Sequence, residues 1–178
     1  AAIMWLVAGG FLLNFAAVVV GGSGESNRRL TQRLEEQYQA YARGLEELTG
    51  QPGLLRALSG DRFQANQLLY QFVNGQRDRA YFLLLGRDGP GVCSNFNGHN
   101  QELFATSAFA GGMVSRLRLD PEKTLCFACT AVLTQEQNCV YTLCRAVTGT
   151  DGAPAGYLFF NLREESFREL VRGMAQEV

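Results

Sequence analysis

The sequence contains a single histidine, and its formal net charge is only −1 at pH 7. One imidazole gives little basis for a histidine-based metal site or for a catalytic triad. The small net charge provides no basic surface of the kind that nucleic acids require. These absences direct attention away from metal-dependent, hydrolytic and nucleic-acid-binding functions.

The sequence also lacks a recognisable catalytic motif. The glycine-rich stretches 86–91 and 149–152 do not open a helix after a strand with the spacing of a phosphate-binding loop, and they are typical of hairpin turns. The glutamate pairs at 35–36 and 46–47 fall on a solvated helix face and do not indicate an acid–base pair. We therefore expect no enzymatic activity and no cofactor in this chain.

The first segment, residues 1–22, is apolar almost throughout and has Asn14 as its one polar side chain. About 20 such residues cross the hydrocarbon core of a bilayer as a helix. A cleaved signal peptide would have a shorter apolar region, and a buried helix of a soluble protein would usually show a polar face. The segment therefore predicts a transmembrane helix.

A long amphipathic helix is predicted over residues 25–50, where apolar residues recur at spacings of four and three. Two interpretations of this stripe stay open. It packs on the sheet of its own domain, or it forms the seam of a parallel homodimer, as in a coiled coil, and the two can hold along different parts of the helix. The predicted seam consists of Leu30, Leu34, Tyr38 and Tyr41.

Five short runs rich in β-branched, aromatic and other apolar residues predict strands within residues 79–162. Hairpin turns separate the first two runs and the last two, where Asp151-Gly152 suits a tight turn. Helical patterns cover 61–74, 101–110 and 164–176, whereas 116–121 indicates an extended or looped segment. The fold class is therefore α+β, with a five-stranded antiparallel sheet.

Four of the five cysteines lie close together and could suggest a metal site or disulfides. They are Cys126, Cys129, Cys139 and Cys144. Strand residues fill the gap between the first two, whose side chains then point to opposite faces, so we expect no metal. If the hairpin loop is centred on residues 136–137, Cys129 lies opposite Cys144 at a separation that a disulfide accepts. We therefore predict a Cys129–Cys144 disulfide.

A ligand pocket needs a few polar groups that converge within an apolar wall. The polar side chains that the pattern places in the sheet or at its rim are Tyr81, Arg118, Thr130, Tyr141, Arg145, Tyr157 and Asn161. The tyrosines can equally be core residues with a hydroxyl at the surface, and a strand arginine is often only solvated.

The element order and two local patterns carry a resemblance to a known family. The patterns are the Gly86-Arg87-Asp88-Gly89 hairpin and the run from Arg145-Ala146-Val147 through Asp151-Gly152 and Gly156-Tyr157-Leu158 to Phe167. Over residues 25–178 the chain resembles a single Cache domain, a PAS-like sensor module of bacterial transmembrane receptors. The resemblance implies a five-stranded antiparallel sheet beside a long N-terminal helix, two flanking membrane spans, and an output domain beyond Val178.

The resemblance also implies a function and a location. The chain would be the extracytoplasmic small-molecule-sensing region of a signal-transduction receptor at the cell membrane, of the histidine kinase, chemoreceptor or nucleotide cyclase type. The arginine, tryptophan and aspartate pattern of amino-acid-binding Cache domains is not visible, since the single tryptophan is Trp5. The alternative is a PAS-like dimerisation or protein-interaction module that binds no ligand. A pocket with a convergent polar lining favours the first function, and a core filled with apolar side chains favours the second.

Overall fold

The computed structural model describes residues 24–75, 80–110, 112–129 and 138–176. Their helices are α1 (Gly24–Thr49), α2 (Pro52–Leu58), α3 (Phe63–Gly75), α4 (Gly98–Ala110), α5 (Met113–Leu119) and α6 (Glu164–Gln176). Their strands are β1 (Ala80–Gly86), β2 (Gly91–Ser94), β3 (Leu125–Ala128), β4 (Cys139–Thr148) and β5 (Pro154–Arg163). The predicted transmembrane helix at 1–22 and the candidate residue Thr130 lie outside these ranges. Within them, no helix is both long and apolar enough to span a bilayer.

The five strands form one antiparallel sheet in the order β2-β1-β5-β4-β3. The long strands β4 and β5 join through a tight turn, in which Gly149 N–H donates to Ala153 O at 2.8 Å. Gly152 in that turn has φ 78°, a conformation that glycine adopts without strain. The predicted α+β fold with a five-stranded antiparallel sheet and a long N-terminal helix is confirmed.

One face of the sheet, here called the first face, packs against α1, α2, α3 and α6. Phe160 of β5 lies at its centre, with ring centroids 5.2 Å from Tyr41 of α1 and 5.3 Å from Phe72 of α3. A Cβ atom at Gly44 would lie 2.6 Å from the Phe72 ring, so the close approach of α1 to α3 requires glycine at this position. The first face thus anchors the long helix to the sheet.

The predicted dimer seam is wrong, because its residues are already buried within one chain. Leu30, Leu34 and Tyr41 are 4%, 2% and 2% exposed, respectively, and Tyr38 packs beside them on the first face. Burial raises the pKa of Tyr38 to about 12. The apolar stripe of α1 therefore packs on the sheet of its own domain, which is the first of the two interpretations that the pattern allowed.

The opposite face, here called the second face, is covered by the shorter helices α4 and α5. Phe104 of α4 meets Phe159 of β5 edge-on, with ring centroids 5.5 Å apart. The prediction of an extended segment at 116–121 is wrong over most of its length, since α5 continues to Leu119. Met113, Val114 and Leu117 are buried on the side of α5 that faces the sheet, a helical spacing that the intervening charged residues obscure.

A candidate ligand site at one end of the second face

The second face changes from apolar to polar along its strands. In its middle, Leu83 of β1, Phe159 of β5 and Cys144 of β4 stand in register across the sheet. In the next row of this face toward α6, Tyr81, Asn161 and Thr142 stand in register and are polar. Two residues further along β5 on the same face is Arg163. We call this region the polar end, and it consists of Tyr81, Thr142, Asn161 and Arg163.

At the centre of the polar end, two fully buried polar side chains contact each other. Thr142 and Asn161 are each 0% exposed. Thr142 Oγ1 donates to Asn161 Oδ1 at 2.8 Å, and Asn161 Nδ2 donates to the carbonyl oxygen of Tyr81 at 3.5 Å. A buried polar group is costly unless it is hydrogen-bonded, and an amide nitrogen carries two hydrogens. The Asn161 amide therefore has capacity for one further acceptor.

Arg163 supplies a positive charge at the same end. Its guanidinium carbon lies 5.5 Å from the centroid of the Tyr81 ring, and its Nη2 lies 3.5 Å from Glu165 Oε2. The side chain of Arg163 is 21% exposed, whereas that of Glu165 is 73% exposed. The ion pair is consequently screened by solvent and easily exchanged for another anionic partner.

Arg163 also lines a surface cleft of about 410 Å³ at the beginning of α6. The other lining residues are Asn138, Glu164, Glu165, Arg168, Glu169 and Arg172. The lining thus includes three arginines and three glutamates, and Arg168 pairs with Glu164. The shared residue Arg163 places the polar end beside a solvent-accessible opening.

A second pair of predicted residues meets at the opposite end of the second face. Arg118 Nε donates to the hydroxyl of the fully buried Tyr157 at 2.9 Å, and Arg118 Nη2 donates to the carbonyl oxygen of Arg87 at 3.2 Å. The hydrogen bond to Tyr157 raises the pKa of Arg118. These bonds connect α5 to β5 and to the turn after β1, so we interpret this pair as a structural clamp.

The two remaining described candidates lie on the first face, with the sheet between them and the polar end. Tyr141 is buried and packs edge-on against Phe167 of α6 at 5.3 Å. Arg145 Nη2 lies 3.5 Å from Glu46 Oε1 of α1, and its Nη1 donates to Thr124 Oγ1 at 3.5 Å. Both therefore attach helices to the sheet and lie away from the polar end.

Of the residues predicted from the sequence, the structure brings Tyr81 and Asn161 together, and it adds Thr142 and Arg163, which the sequence analysis missed. A signal for Thr142 was present, since it interrupts a buried strand and shares its face with the buried Cys144 two residues further on. A polar residue in that position is unusual unless it has a buried partner.

The cysteines adopt a different register from the predicted one. Leu125 pairs with Cys144 and Ala128 pairs with Tyr141, so that Cys129 lies beside Val140. The predicted Cys129–Cys144 disulfide is wrong, because the hairpin is centred nearer to β3 than the prediction assumed. All five cysteines, each of which lies within the described residues, are thiols.

No family model matches the chain, and no curated protein or solved structure matches it significantly. The described residues also contain no group of three or more histidine, cysteine, aspartate or glutamate side chains that could hold a metal ion. The chemistry that the described site offers is that of hydrogen-bond donors, one cation and aromatic walls.

Proposed function

We propose that this chain is the extracytoplasmic small-molecule-sensing region of a bacterial transmembrane signal-transduction receptor, with a Cache-like, PAS-like fold and its ligand site at the polar end. The observation that carries the proposal is the fully buried Thr142–Asn161 pair beside Arg163. Polar groups at the centre of a sheet weaken packing relative to apolar ones. Their presence beside a cation and a cleft is typical of a binding site.

The groups at the polar end indicate a small organic carboxylate as the ligand class. Arg163 supplies a guanidinium whose donors match a carboxylate, and Asn161 supplies an amide N–H for a second oxygen. The aromatic rings of Tyr81 and Phe96 stack at 4.7 Å and provide an apolar wall for the rest of the molecule. Glu165 would release Arg163 when the ligand carboxylate takes its place.

In this proposal the ligand acts on the two helices that would connect the domain to the membrane. Arg163 is the last residue of β5 and Glu164 is the first of α6, so the ligand would sit at their junction. Helix α6 contacts α1, which follows the apolar segment 1–22. Ligand binding shifts such an arrangement only if the ligand has different affinities for two arrangements of α1 and α6.

The test is a panel of small carboxylates added to the full chain in mild detergent, with the unfolding temperature as the first measurement and calorimetry as the second. We expect at least one carboxylate to stabilise the chain, because a ligand that binds the native state raises Tm. Arg163→Gln should weaken its binding about 10- to 100-fold, the usual effect of losing a charged hydrogen bond.

Arg145→Gln is the matched control for this experiment. Arg145 and Arg163 are both strand arginines, largely buried, and each lies 3.5 Å from an exposed glutamate, but on opposite faces of the sheet. Arg145→Gln should leave the affinity within about twofold, because a screened ion pair on the far face contributes little. Equal losses in the two variants, or a panel without any stabilising carboxylate, would contradict the ligand site.

One observation favours the second function, a dimerisation or protein-interaction module that binds no ligand. The middle of the second face is filled by aromatic rings, with Phe104 placed 5.8 Å from Phe96 and 5.5 Å from Phe159. This filling leaves only the polar end for a ligand. In both functions we propose a parallel homodimer, and it must use a side of α1 other than its buried stripe. Sedimentation of the full chain at increasing concentration measures this association.

A further inference from the structure

Two cysteines stand at the two ends of the segment that joins β3 to β4. Cys129 follows the last residue of β3, and Cys139 is the first residue of β4. The backbone N–H of Cys129 donates to the carbonyl oxygen of Val140 at 2.8 Å, which extends the ladder between the two strands past Ala128. The backbones that carry the two thiols are therefore held side by side.

A bulge in β4 turns both side chains to the same face of the sheet. Cys139 pairs with Arg163 and Tyr141 pairs with Leu162, so Val140 is an extra residue relative to β5. In a regular strand Cys139 would share the first face with Tyr141. The bulge instead places Val140 with Tyr141 on the first face and turns Cys139 to the second face, where Cys129 also packs.

The two thiols are in contact, and both are half-buried. A hydrogen bond between them is the main reason that the pKa of Cys139 is raised, and burial adds to it. The other cysteines stand apart from this pair. Cys93 and Cys126 belong to the first face, and Cys144 is fully buried in the middle of the second face.

We infer that Cys129 and Cys139 are a disulfide-forming pair, a redox modification site that closes residues 130–138 into a covalent loop. The oxidant is a disulfide, such as glutathione disulfide or a protein thiol oxidase with a reactive disulfide. One thiolate attacks a sulfur of this donor and releases a first thiol. The second cysteine then displaces the donor from the mixed disulfide and releases a second thiol. Two electrons pass to the donor, and one S–S bond forms for each one broken.

The bond would form beside the candidate ligand site but does not depend on it. Cys139 is the cross-strand neighbour of Arg163, so the covalent loop would begin next to the polar end. An extracytoplasmic location would favour the oxidised form, whereas a reducing compartment would favour the two thiols. The inference therefore stands even if no carboxylate ligand exists.

The sequence allows a direct test by peptide mapping. Residues 124–144 contain no lysine or arginine, so trypsin releases one peptide, 124–145, that carries four cysteines. Cleavage after Glu136, its single acidic residue, separates Cys129 from Cys139. The full chain is incubated with glutathione disulfide at about pH 8, near the ordinary pKa of a cysteine thiol. It is then alkylated and digested with both proteases. We expect the fragments 124–136 and 137–145 to stay linked, and fragmentation in the mass spectrometer to place the bond between Cys129 and Cys139.

Four variants separate this bond from its alternatives. Cys129→Ala and Cys139→Ala should each abolish the linkage, whereas Cys126→Ala and Cys144→Ala should retain it. Circular dichroism checks that each variant folds, and the wild-type fragmentation spectrum assigns the bond even if a variant does not. Separate fragments after prolonged oxidation, or a bond mapped to Cys126 or Cys144, would overturn the inference.

The rate of oxidation provides a second measurement. The raised pKa of Cys139 keeps its thiol protonated at neutral pH. Disulfide exchange needs the thiolate, so the reaction should accelerate steadily as pH rises from 7 to 9. Closing the loop should also raise the unfolding temperature of the oxidised chain by about 5 to 10 °C, as expected for a loop of this size. A pH-independent rate together with an unchanged unfolding temperature would contradict a bond between these two half-buried thiols.

Discussion

The two faces of the sheet differ in what covers them and in what they contain. The first face packs against four helices and is apolar apart from Arg145, with Phe160 and the stripe of α1 at its centre. The second face packs against two shorter helices and ends in polar groups and thiols. The comparison indicates that the first face supplies most of the stability, whereas the second face carries the residues proposed for ligand binding and disulfide formation.

The largest effect should come from the first face. Leu45 of α1 is 0% exposed, and Leu45→Ala removes buried apolar surface and leaves a cavity. We expect the free energy of unfolding to fall by about 2 to 5 kcal/mol, as for other buried leucines. Urea unfolding of the full chain measures this fall in the free energy of unfolding. Leu119→Ala is the matched control, since Leu119 is 81% exposed, and it should change stability by less than about 0.5 kcal/mol. Equal effects would remove the distinction between a stabilising face and an exposed surface.

The first face should also make the protein sensitive to alkaline pH. Burial raises the pKa of the Cys126 thiol from 9.0 to about 12. The unfolded chain releases this proton near its ordinary pKa, while the native state keeps it. The contribution of the protonated Cys126 thiol to the free energy of unfolding is therefore fully present below pH 9 and is lost as pH rises toward 12. Within this window the free energy of unfolding falls by about 1.4 kcal/mol per pH unit.

Comparison of Cys126→Ala with the wild type isolates this contribution. Between pH 9 and 10.5 the wild type should lose about 2 kcal/mol more than the variant in urea unfolding. Tyr38, Tyr141 and Cys144 also have raised pKa values and interact with Cys126, but burial is the main cause in each, so most of their contribution is common to both proteins. Parallel pH profiles would show that the Cys126 thiol is not held in its protonated form by burial.

A smaller effect is expected at the polar end. Thr142→Val keeps the shape of the side chain but leaves the buried Asn161 Oδ1 without its hydrogen-bond donor. We expect a cost of about 1 to 3 kcal/mol in the free energy of unfolding. Thr142→Ser keeps the hydroxyl and should therefore lose less of the free energy of unfolding than Thr142→Val.

The double variant Thr142→Val/Asn161→Leu sharpens the comparison of the faces. Removing both polar partners leaves an apolar pair, and such a replacement is often nearly neutral. The double variant should therefore be more stable than the sum of the two single changes predicts, by about 0.5 to 3 kcal/mol. It should also lose carboxylate binding if the polar end is the ligand site. Strict additivity would mean that Thr142 and Asn161 do not act as a pair.

The fold class and most of its elements could be predicted from the sequence, because apolar runs and helical periods indicate burial directly. The surface that covers the buried stripe of α1 could not be predicted, since Leu34 and Tyr41 have the same spacing whether they pack on a sheet or on a second chain. The predicted Cys129–Cys144 pairing failed for a different reason. Strands β3 and β4 pair with Leu125 opposite Cys144, and apolar composition does not determine such a register. The extra residue at Val140, which turns Cys139 to the second face, was equally hard to predict, since no composition signal marks a bulge. Similarly, Arg163 lies one position beyond the predicted strands, and its place in the polar end depends on its cross-strand neighbours.

The smallest effect should come from the clamp at the other end of the second face. Tyr157→Phe removes the hydroxyl that accepts from Arg118 Nε but keeps the buried ring. Arg118 is exposed and water can replace the lost acceptor, so the free energy of unfolding should fall by no more than about 1 kcal/mol. Tyr70→Phe on α3 is the control, since Tyr70 is 45% exposed. Neither change should alter carboxylate binding, because both lie away from Arg163. A loss of binding in Tyr157→Phe alone would move the ligand site to the Arg118 end, and the polar end would then have a structural role only.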